Sequence, residues 1–162
     1  MKVLILSGSN HGFDKSAPLI GDFLSAAGNL DITLEHDKDI LADGLDAFDV
    51  CVFGTGFTHP VPLDDGSCVW EAELNAGQED GLLDFVHGGK GFVGVHGTAW
   101  NIGPRAVDLL GGHANWHPPG LTFTVNIAEG GHPITVDVQD FEVEDEIYMS
   151  AWFPEIDILA AA

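Results

Sequence analysis

Hydrophobic residues form short continuous runs at several places along the chain. Residues 1–7, 49–53 and 91–95 are mostly apolar, and polar residues or glycines flank them. Such runs predict strands that are buried on both faces. Residues 31–34 continue an apolar alternation at positions 30, 32 and 34, which predicts one more strand.

Between these runs, apolar residues recur at intervals of three and four, which is the period of a helix. This pattern runs from Ala17 to Ala27, and it predicts a helix that Ser16 caps and Gly28 ends, with Pro18 in its first turn. Two more helices are predicted over residues 79–87 and 104–110, because a pair of glycines follows each stretch.

The alternation of strands and helices predicts an α/β fold with a mostly parallel sheet between two layers of helices. In such folds ligands bind beyond the carboxyl ends of the strands. Residues 121–127 and 141–148 predict strands without a helix between them, and therefore an antiparallel extension. No repeat or linker divides the sequence, so we expect one domain over residues 1–162.

The charge of the chain excludes several classes of partner. The 162 residues include 26 Asp and Glu against 5 Lys and Arg, for a formal charge of −21, although 45% of residues are hydrophobic. That hydrophobic share is sufficient for a core, while the negative surface repels phosphate backbones and anionic lipids. We therefore expect a folded protein that binds neither nucleic acid nor membrane. Such acidity, tolerable only when salt screens it, also indicates a halophilic source.

Neither a targeting signal nor a cysteine motif indicates a function for this chain. No apolar run approaches the ~20 residues of a membrane span, and the first residues do not form a leader, so the expected location is the cytoplasm. Cys51 and Cys68 are too few for a disulfide scaffold and too far apart for a metal-binding pair. We interpret both as reduced thiols.

The loop over residues 7–16 follows the first strand and is rich in Gly and Ser. It leads into a helix N-terminus that can hold an anion or a polar ligand, and His11 favours a site over a purely structural turn. Flavodoxin-like proteins bind flavin phosphate at this position. A non-enzymatic flavin binder is therefore an alternative function.

Residues 91–100 predict a buried strand followed directly by a turn of small residues, with His96 at the tip of the turn. This pattern has the form of a nucleophile elbow. Class I glutamine amidotransferase-like domains carry a cysteine in this place. Histidine cannot form the glutamyl thioester, so amidotransferase activity is not expected, but it can transfer protons or bind a metal. His117 is a second candidate, because Pro118 and Pro119 stiffen the chain beside it. His132 lies at a predicted turn, where a structural cap is expected.

Many segments along the chain carry one resemblance, and they are residues 3–8, His11 with Phe13, Ala17-Pro18, 49–53, 85–96, 110–112, 117–119, 132–134 and 145–148. Taken together and in this order, they resemble the ThuA family over nearly the whole chain. The resemblance implies a flavodoxin-like, class I glutamine amidotransferase-like fold and a role in the utilisation of trehalose and related sugars. The family's association with oxidoreductases that make keto-sugars implies isomerisation or cleavage of such intermediates.

The family pattern places several of these residues around one pocket. We assign catalysis to His96, His11 and Glu146, with His96 or Glu146 removing a proton next to a sugar carbonyl and His11 donating one. The histidines at 11, 96 and 117 also suit a divalent metal, zinc before others, with Glu146 as ligand or orienting group. Substrate contacts are assigned to Asn10, Phe13, Trp100, His117 and Tyr148.

The chain also departs from the family pattern. It stops at residue 162, before the family's C-terminal strands, and Gly12 replaces the aspartate that usually follows the first histidine. A non-catalytic partner domain, or a homo-oligomer paired through sheet edges, is therefore a further alternative. The connection over residues 54–69 is long for a turn, and it is a candidate lid near the site.

Overall fold

A computed structural model describes residues 1–54 and 57–162, with the side chains of His11 and Asn101 left out. Two compact units divide the chain, Met1–Leu110 and Gly111–Ala162. The elements of the first unit are β1 (Lys2–Leu6), α1 (Phe13–Ala26), β2 (Asp31–Glu35), α2 (Ile40–Asp43), β3 (Val50–Phe53), β4 (Thr58–Pro62), β5 (Cys68–Ala72), α3 (Ala76–His87), β6 (Gly91–Gly94) and α4 (Thr98–Asn101). Those of the second are β7 (Gly112–Trp116), β8 (Leu121–Ile127), β9 (Phe141–Asp145), β10 (Met149–Trp152) and β11 (Ala160–Ala161).

A parallel sheet with the strand order β2-β1-β3-β6 forms the centre of the first unit. Every neighbouring pair is parallel, as the alternation of strands and helices predicted, and Val3 lies opposite Ile32 on one side and Val50 on the other. The prediction that residues 91–95 are buried on both faces is wrong, because β6 lies at the edge of the sheet and Val93 is 48% exposed. Successive side chains of a strand point to opposite faces. Leu4 and Leu6 accordingly join one buried cluster, and Val3 and Ile5 join another.

Helices cover both faces of this sheet, which confirms the predicted three layers. Helix α1 buries Phe13 and Ala17 in the cluster that contains Ile5. On the opposite face, Leu41 of α2 and Leu82 of α3 pack into the cluster around Leu4 and Leu6. Because both faces of β1 are covered, its apolar residues contribute to the core on each side of the sheet.

Two of the predicted helices begin earlier than the sequence indicated. Helix α1 begins at Phe13, because a 3-10 turn over Asn10–Gly12 runs directly into it, so Pro18 lies in the second turn and not the first. Helix α3 begins at Ala76. Its start is set by a capping box in which the Asn75 side chain accepts from Gln78 N at 3.1 Å and Gln78 Oε1 accepts from Asn75 N at 2.9 Å.

The predicted helix over residues 104–110 is wrong. The structure has turns there, followed by a 3-10 turn at Val107–Leu110. Gly103, which precedes this segment, has a φ of +104°. Arg105 N, within it, donates to Glu79 Oε1 at 3.2 Å. The stretch is too short to recover the cost of helix nucleation, so tertiary hydrogen bonds decide its backbone.

The long connection after β3 contains an antiparallel hairpin, β4 with β5. Its tip closes over residues 63–67, where Leu63 N donates to Ser67 O at 2.8 Å. At its base, Glu73 N donates to Phe57 O at 2.9 Å. A role for this hairpin as a lid stays a prediction.

The second unit is antiparallel, which confirms the predicted extension. Strand β8 pairs with β9 and β11, and β7 pairs with β10, a pair that sequence patterns did not predict. Strand β9 ends at Asp145, whose side chain accepts from Glu146 N at 2.8 Å, so Glu146 and Tyr148 follow the strand instead of belonging to it. Among the described residues, no helix is both long and apolar enough to cross a bilayer.

Candidate functional site

His117, Glu146 and Tyr148 come together in the second unit. His117 follows β7, and the other two residues lie between β9 and β10. The rings of His117 and Tyr148 are 5.4 Å apart at their centroids and inclined by 33°, while His117 Nε2 lies 3.7 Å from Glu146 Oε2. We call these three residues the His117 cluster.

The orientation of the His117 ring follows from its own neighbour. Nδ1 lies 2.9 Å from the carbonyl oxygen of Pro118, which can only accept a hydrogen bond. A hydrogen bond to that oxygen requires the proton on Nδ1, and Nε2 is the ring nitrogen near Glu146. A protonated Nε2 would form an ion pair with that carboxylate, since both side chains are only about one-third exposed.

Tyr148 is held in its protonated form. Partial burial, followed by the negative charges of Glu146 and Asp145, raises the pKa of Tyr148 to about 12. A phenol in this state donates a hydrogen bond at neutral pH and does not ionise. The His117 cluster therefore combines a basic nitrogen, a carboxylate and a hydrogen-bond donor, which are the components of proton transfer next to a carbonyl.

His96 occupies a strained turn in the first unit, at the carboxyl end of β6. Its φ is +49°, a left-handed conformation that is uncommon for residues other than glycine. The buried Thr98 supports this turn, because its hydroxyl lies 2.8 Å from Phe53 O and 2.7 Å from Val95 O. The predicted sequence of strand, tight turn and short helix is thus present, with an exposed imidazole at its tip.

The other residues predicted to contact substrate, Asn10, Phe13 and Trp100, differ in their burial and in their hydrogen-bond partners. Asn10 Nδ2 lies 2.5 Å from Thr58 O and 2.9 Å from Thr58 Oγ1, so this side chain joins the loop after β1 to the hairpin. Phe13 is 4% exposed and packs in the core, whereas Trp100 is 40% exposed. The His11 side chain lies outside the described part of the structure. Substrate contacts by Asn10, Phe13 and Trp100 stay predictions.

The structure thus brings together part of the predicted site. His117, Glu146 and Tyr148 are neighbours, while His96 and the loop after β1 belong to the first unit. Convergence of His11, His96 and His117 on one pocket stays a prediction. Within the ranges that the structure describes, no group of three or more His, Cys, Asp or Glu side chains could hold a metal ion, and the zinc assignment is likewise untested.

Sequence reasoning missed one histidine beside a cavity. His36 directly follows β2, and its Nδ1 lies 2.9 Å from Ser7 Oγ and 3.0 Å from Ser7 O. It lines a cavity of about 670 Å³ at the carboxyl ends of β1 and β2. The only signal in the sequence was its position after an alternating strand, which did not indicate that Ser7 would be its neighbour.

Comparison with known proteins places the chain in a family. The model of the ThuA family, described as trehalose utilisation, matches residues 2–162. The crystal structure of a ThuA-like protein from Parabacteroides merdae aligns with a TM-score of 0.68 at 15% identity, covering 98% of this chain and 66% of that one. No curated protein matches the sequence. Because the family model spans nearly every residue and the fold agrees, the chain belongs to the ThuA family.

Proposed function

We propose that this protein acts in sugar utilisation as an acid–base enzyme on a disaccharide or keto-sugar. Family membership supports the link to carbohydrates. The His117 cluster supports the chemistry, because an imidazole nitrogen, a carboxylate oxygen 3.7 Å from it and a protonated phenol are adjacent. This cluster is the observation on which the proposal depends.

The proposed reaction begins with removal of a proton from the carbon next to a sugar carbonyl. His117 Nε2 takes the proton, and the C–H electron pair becomes a carbon–carbon double bond as the carbonyl oxygen gains negative charge. Glu146 stabilises the imidazolium that forms, and the Tyr148 hydroxyl donates a hydrogen bond to the oxygen. Return of the proton to the former carbonyl carbon, with the hydroxyl of the deprotonated carbon becoming the new carbonyl, gives an isomer. Loss of a substituent from the carbon on the other side of the deprotonated one gives cleavage, and the leaving oxygen takes the proton from His117.

Three further assignments belong to the proposal. His96 and His11 act as additional acid–base groups, or with His117 as ligands of a zinc ion that would polarise the carbonyl. The partner is a small sugar and not a nucleic acid or a membrane. We also propose that the protein forms homo-oligomers.

Elemental analysis of protein purified without chelator tests the zinc assignment. Sedimentation in molar salt tests the oligomeric state.

Hydrogen exchange in deuterated water tests the proposed reaction. A keto derivative of trehalose is incubated with the protein, and loss of the proton next to the carbonyl is followed by NMR. Glu146→Gln and Tyr148→Phe should each slow exchange by about 10²-fold or more, as removal of an acid–base or oxyanion group does. His96→Ala should abolish exchange while leaving the fold intact, and an unchanged rate would reject a catalytic role for His96.

Glu144→Gln is the matched control, since it removes the same charge from an exposed residue two positions away. It should exchange the keto-sugar at the wild-type rate. Equal rates in Glu144→Gln and Glu146→Gln would reject the assignment of Glu146, and absence of exchange in the wild-type protein would reject the reaction. Circular dichroism of each variant confirms that the fold is retained.

A further inference from the structure

Helix α1 presents two large apolar side chains to solvent on its outer side. Leu19 is 68% exposed, and Phe23, one turn later, is 74% exposed, the highest value for a large apolar side chain in the described ranges. The opposite side of the helix buries Phe13 and Ala17, so these two residues already fix α1 to the sheet. Adjacent apolar side chains that remain exposed indicate a surface that binds another protein.

Two opposite charges lie on the same side of this helix. Lys15 precedes Leu19 by four residues and Asp22 follows it by three, and these spacings place all three on one face of an α-helix. All of them are exposed. We call Lys15, Leu19, Asp22, Phe23 and Ala26 the α1 outer face. It therefore combines an apolar centre with one positive and one negative end.

The charges of the α1 outer face have no counterpart within the chain. In the ranges that the structure describes, neither Lys15 nor Asp22 forms an ion pair, whereas other basic side chains do, namely Lys38, Lys90 and Arg105. A chain with 5 basic and 26 acidic residues repels a second copy over most of its surface. A face with one charge of each sign avoids that repulsion, so it is suited to contact between two copies.

The α1 outer face is also complementary to itself. In a two-fold arrangement the same patch of both copies is in contact, and two α1 helices then run antiparallel. Because Lys15 and Asp22 lie on either side of Leu19, the lysine of each copy comes opposite the aspartate of the other. Two ion pairs then flank an apolar contact, and no like charges face each other.

We propose that the α1 outer face is a two-fold interface between two copies of this chain. Leu19 packs against Leu19 of the second copy, and Phe23 covers the aliphatic stem of Lys15 on the other helix. One helix from each copy buries less than the ~1,200 Å² of a stable interface, so we expect a reversible dimer. This inference gives the homo-oligomer proposed above a surface, and it does not depend on the proposed reaction.

Sedimentation equilibrium over a series of protein concentrations tests the apolar contact. The wild-type protein should dimerise as its concentration rises. Leu19→Glu and Phe23→Glu should each weaken association at least tenfold, because each places a carboxylate in the centre of the contact. Leu63→Glu is the matched control, since it makes the same kind of change at an exposed apolar residue at the tip of the hairpin. It should dimerise as the wild type does.

Charge reversal tests the antiparallel arrangement. Measurements use the lowest salt concentration that keeps the protein folded, because charges are then screened least. Lys15→Glu and Asp22→Lys should each dimerise at least tenfold more weakly than the wild type, since like charges meet across the axis. A mixture of these two variants should form heterodimers, because both contacts then join opposite charges. Asp46→Lys, an equal change of charge at an exposed position outside α1, should dimerise as the wild type does.

The outcomes separate this inference from the proposed function. A wild-type protein that is monomeric at every concentration would overturn the inference and the homo-oligomer, but it would leave the proton-exchange result unaffected. Oligomers that form equally in Leu19→Glu and Leu63→Glu would place the contact elsewhere, such as at sheet edges, and would overturn only the assignment of α1. Absence of heterodimers from the mixture of Lys15→Glu and Asp22→Lys would also overturn it.

Discussion

Tyr148 reports on the His117 cluster because it is the only tyrosine of the chain. Its burial opposes ionisation, and the carboxylates of Glu146 and Asp145 add a smaller effect in the same direction. The phenol therefore remains a donor over the whole pH range in which sugar chemistry is practical. This is the property that the proposed reaction needs from it.

Ultraviolet titration of tyrosinate should give a midpoint of about 12 in the folded protein, against 10.0 for an ordinary tyrosine. Absorbance is read immediately after a rapid pH jump, before unfolding. Glu146→Gln should lower the midpoint without bringing it to 10, since burial is the larger cause. Glu144→Gln should leave it unchanged. A wild-type midpoint near the ordinary value would show that the phenol is not desolvated.

The same shift determines the sign of a stability effect. Between pH 10 and 12 the folded protein keeps a proton that the unfolded chain loses, so the free energy of unfolding decreases as the pH rises through that window. The contribution of Tyr148 is present in full below pH 10.

At the scale of the elements, two glycines inside helices have opposite surroundings. A Cβ on Gly21 of α1 would meet Ile5 Cδ1 at 3.6 Å and Ile32 Cγ2 at 3.8 Å, which is ordinary contact. A Cβ on Gly81 of α3 would lie 1.9 Å from the carbonyl oxygen of Leu41. Gly81 thus allows α2 and α3 to approach each other closely, while Gly21 has no comparable constraint.

Replacement of each glycine by alanine should therefore change stability in opposite directions. Gly21→Ala should raise the free energy of unfolding by up to about 1 kcal/mol, because alanine restricts the unfolded chain and favours a helix. Gly81→Ala should lower it by about 1–3 kcal/mol, because the backbone of α2 must move. Urea titration of both variants measures the difference. Stabilisation by Gly81→Ala would show that the two helices are not in such close contact.

The elements were predictable wherever their signal was local. The apolar run of β1 and the glycine after α1 set boundaries that lie within a few residues of the structure. Residues 104–110 are followed by a glycine pair, the same signal that ends α3, yet the hydrogen bond of Arg105 N to Glu79 overrides it. Strand β7 was missed because its pairing partner, β10, lies more than thirty residues away in sequence.

The candidate site was predictable only in part, for the same reason. His96 was evident because an apolar run ends just before it, although β6 is a partly exposed edge strand in the structure. The proximity of His117 to Glu146 came from the family pattern, and nothing in either local sequence indicates it. His36 was missed because its partner, Ser7, becomes a neighbour through the register of β1 and β2, in which Leu6 lies opposite Glu35.

For the whole molecule, the dominant feature is uncompensated negative charge. The 5 basic residues cannot neutralise 26 acidic ones. In the described ranges, Lys38 pairs with Glu73 at 3.0 Å and Lys90 pairs with Asp49 at 3.4 Å. Arg105 also pairs with Asp80. These pairs are partly exposed and each stabilises the fold little. Most carboxylates therefore repel one another across the surface.

Salt should stabilise this fold strongly. The Debye length decreases from about 10 Å at 0.1 M to about 3 Å at 1 M, so molar potassium chloride should suppress repulsion between surface carboxylates and raise the thermal midpoint. Scanning calorimetry across a salt series measures this. A variant that combines Asp22→Asn, Glu71→Gln, Glu142→Gln and Glu144→Gln, all at exposed positions, should depend less on salt because four repelling charges are gone. Sucrose at matched osmolality separates screening from general preferential exclusion. An equal rise in sucrose, or a midpoint that does not change with salt, would show that charge repulsion does not limit stability.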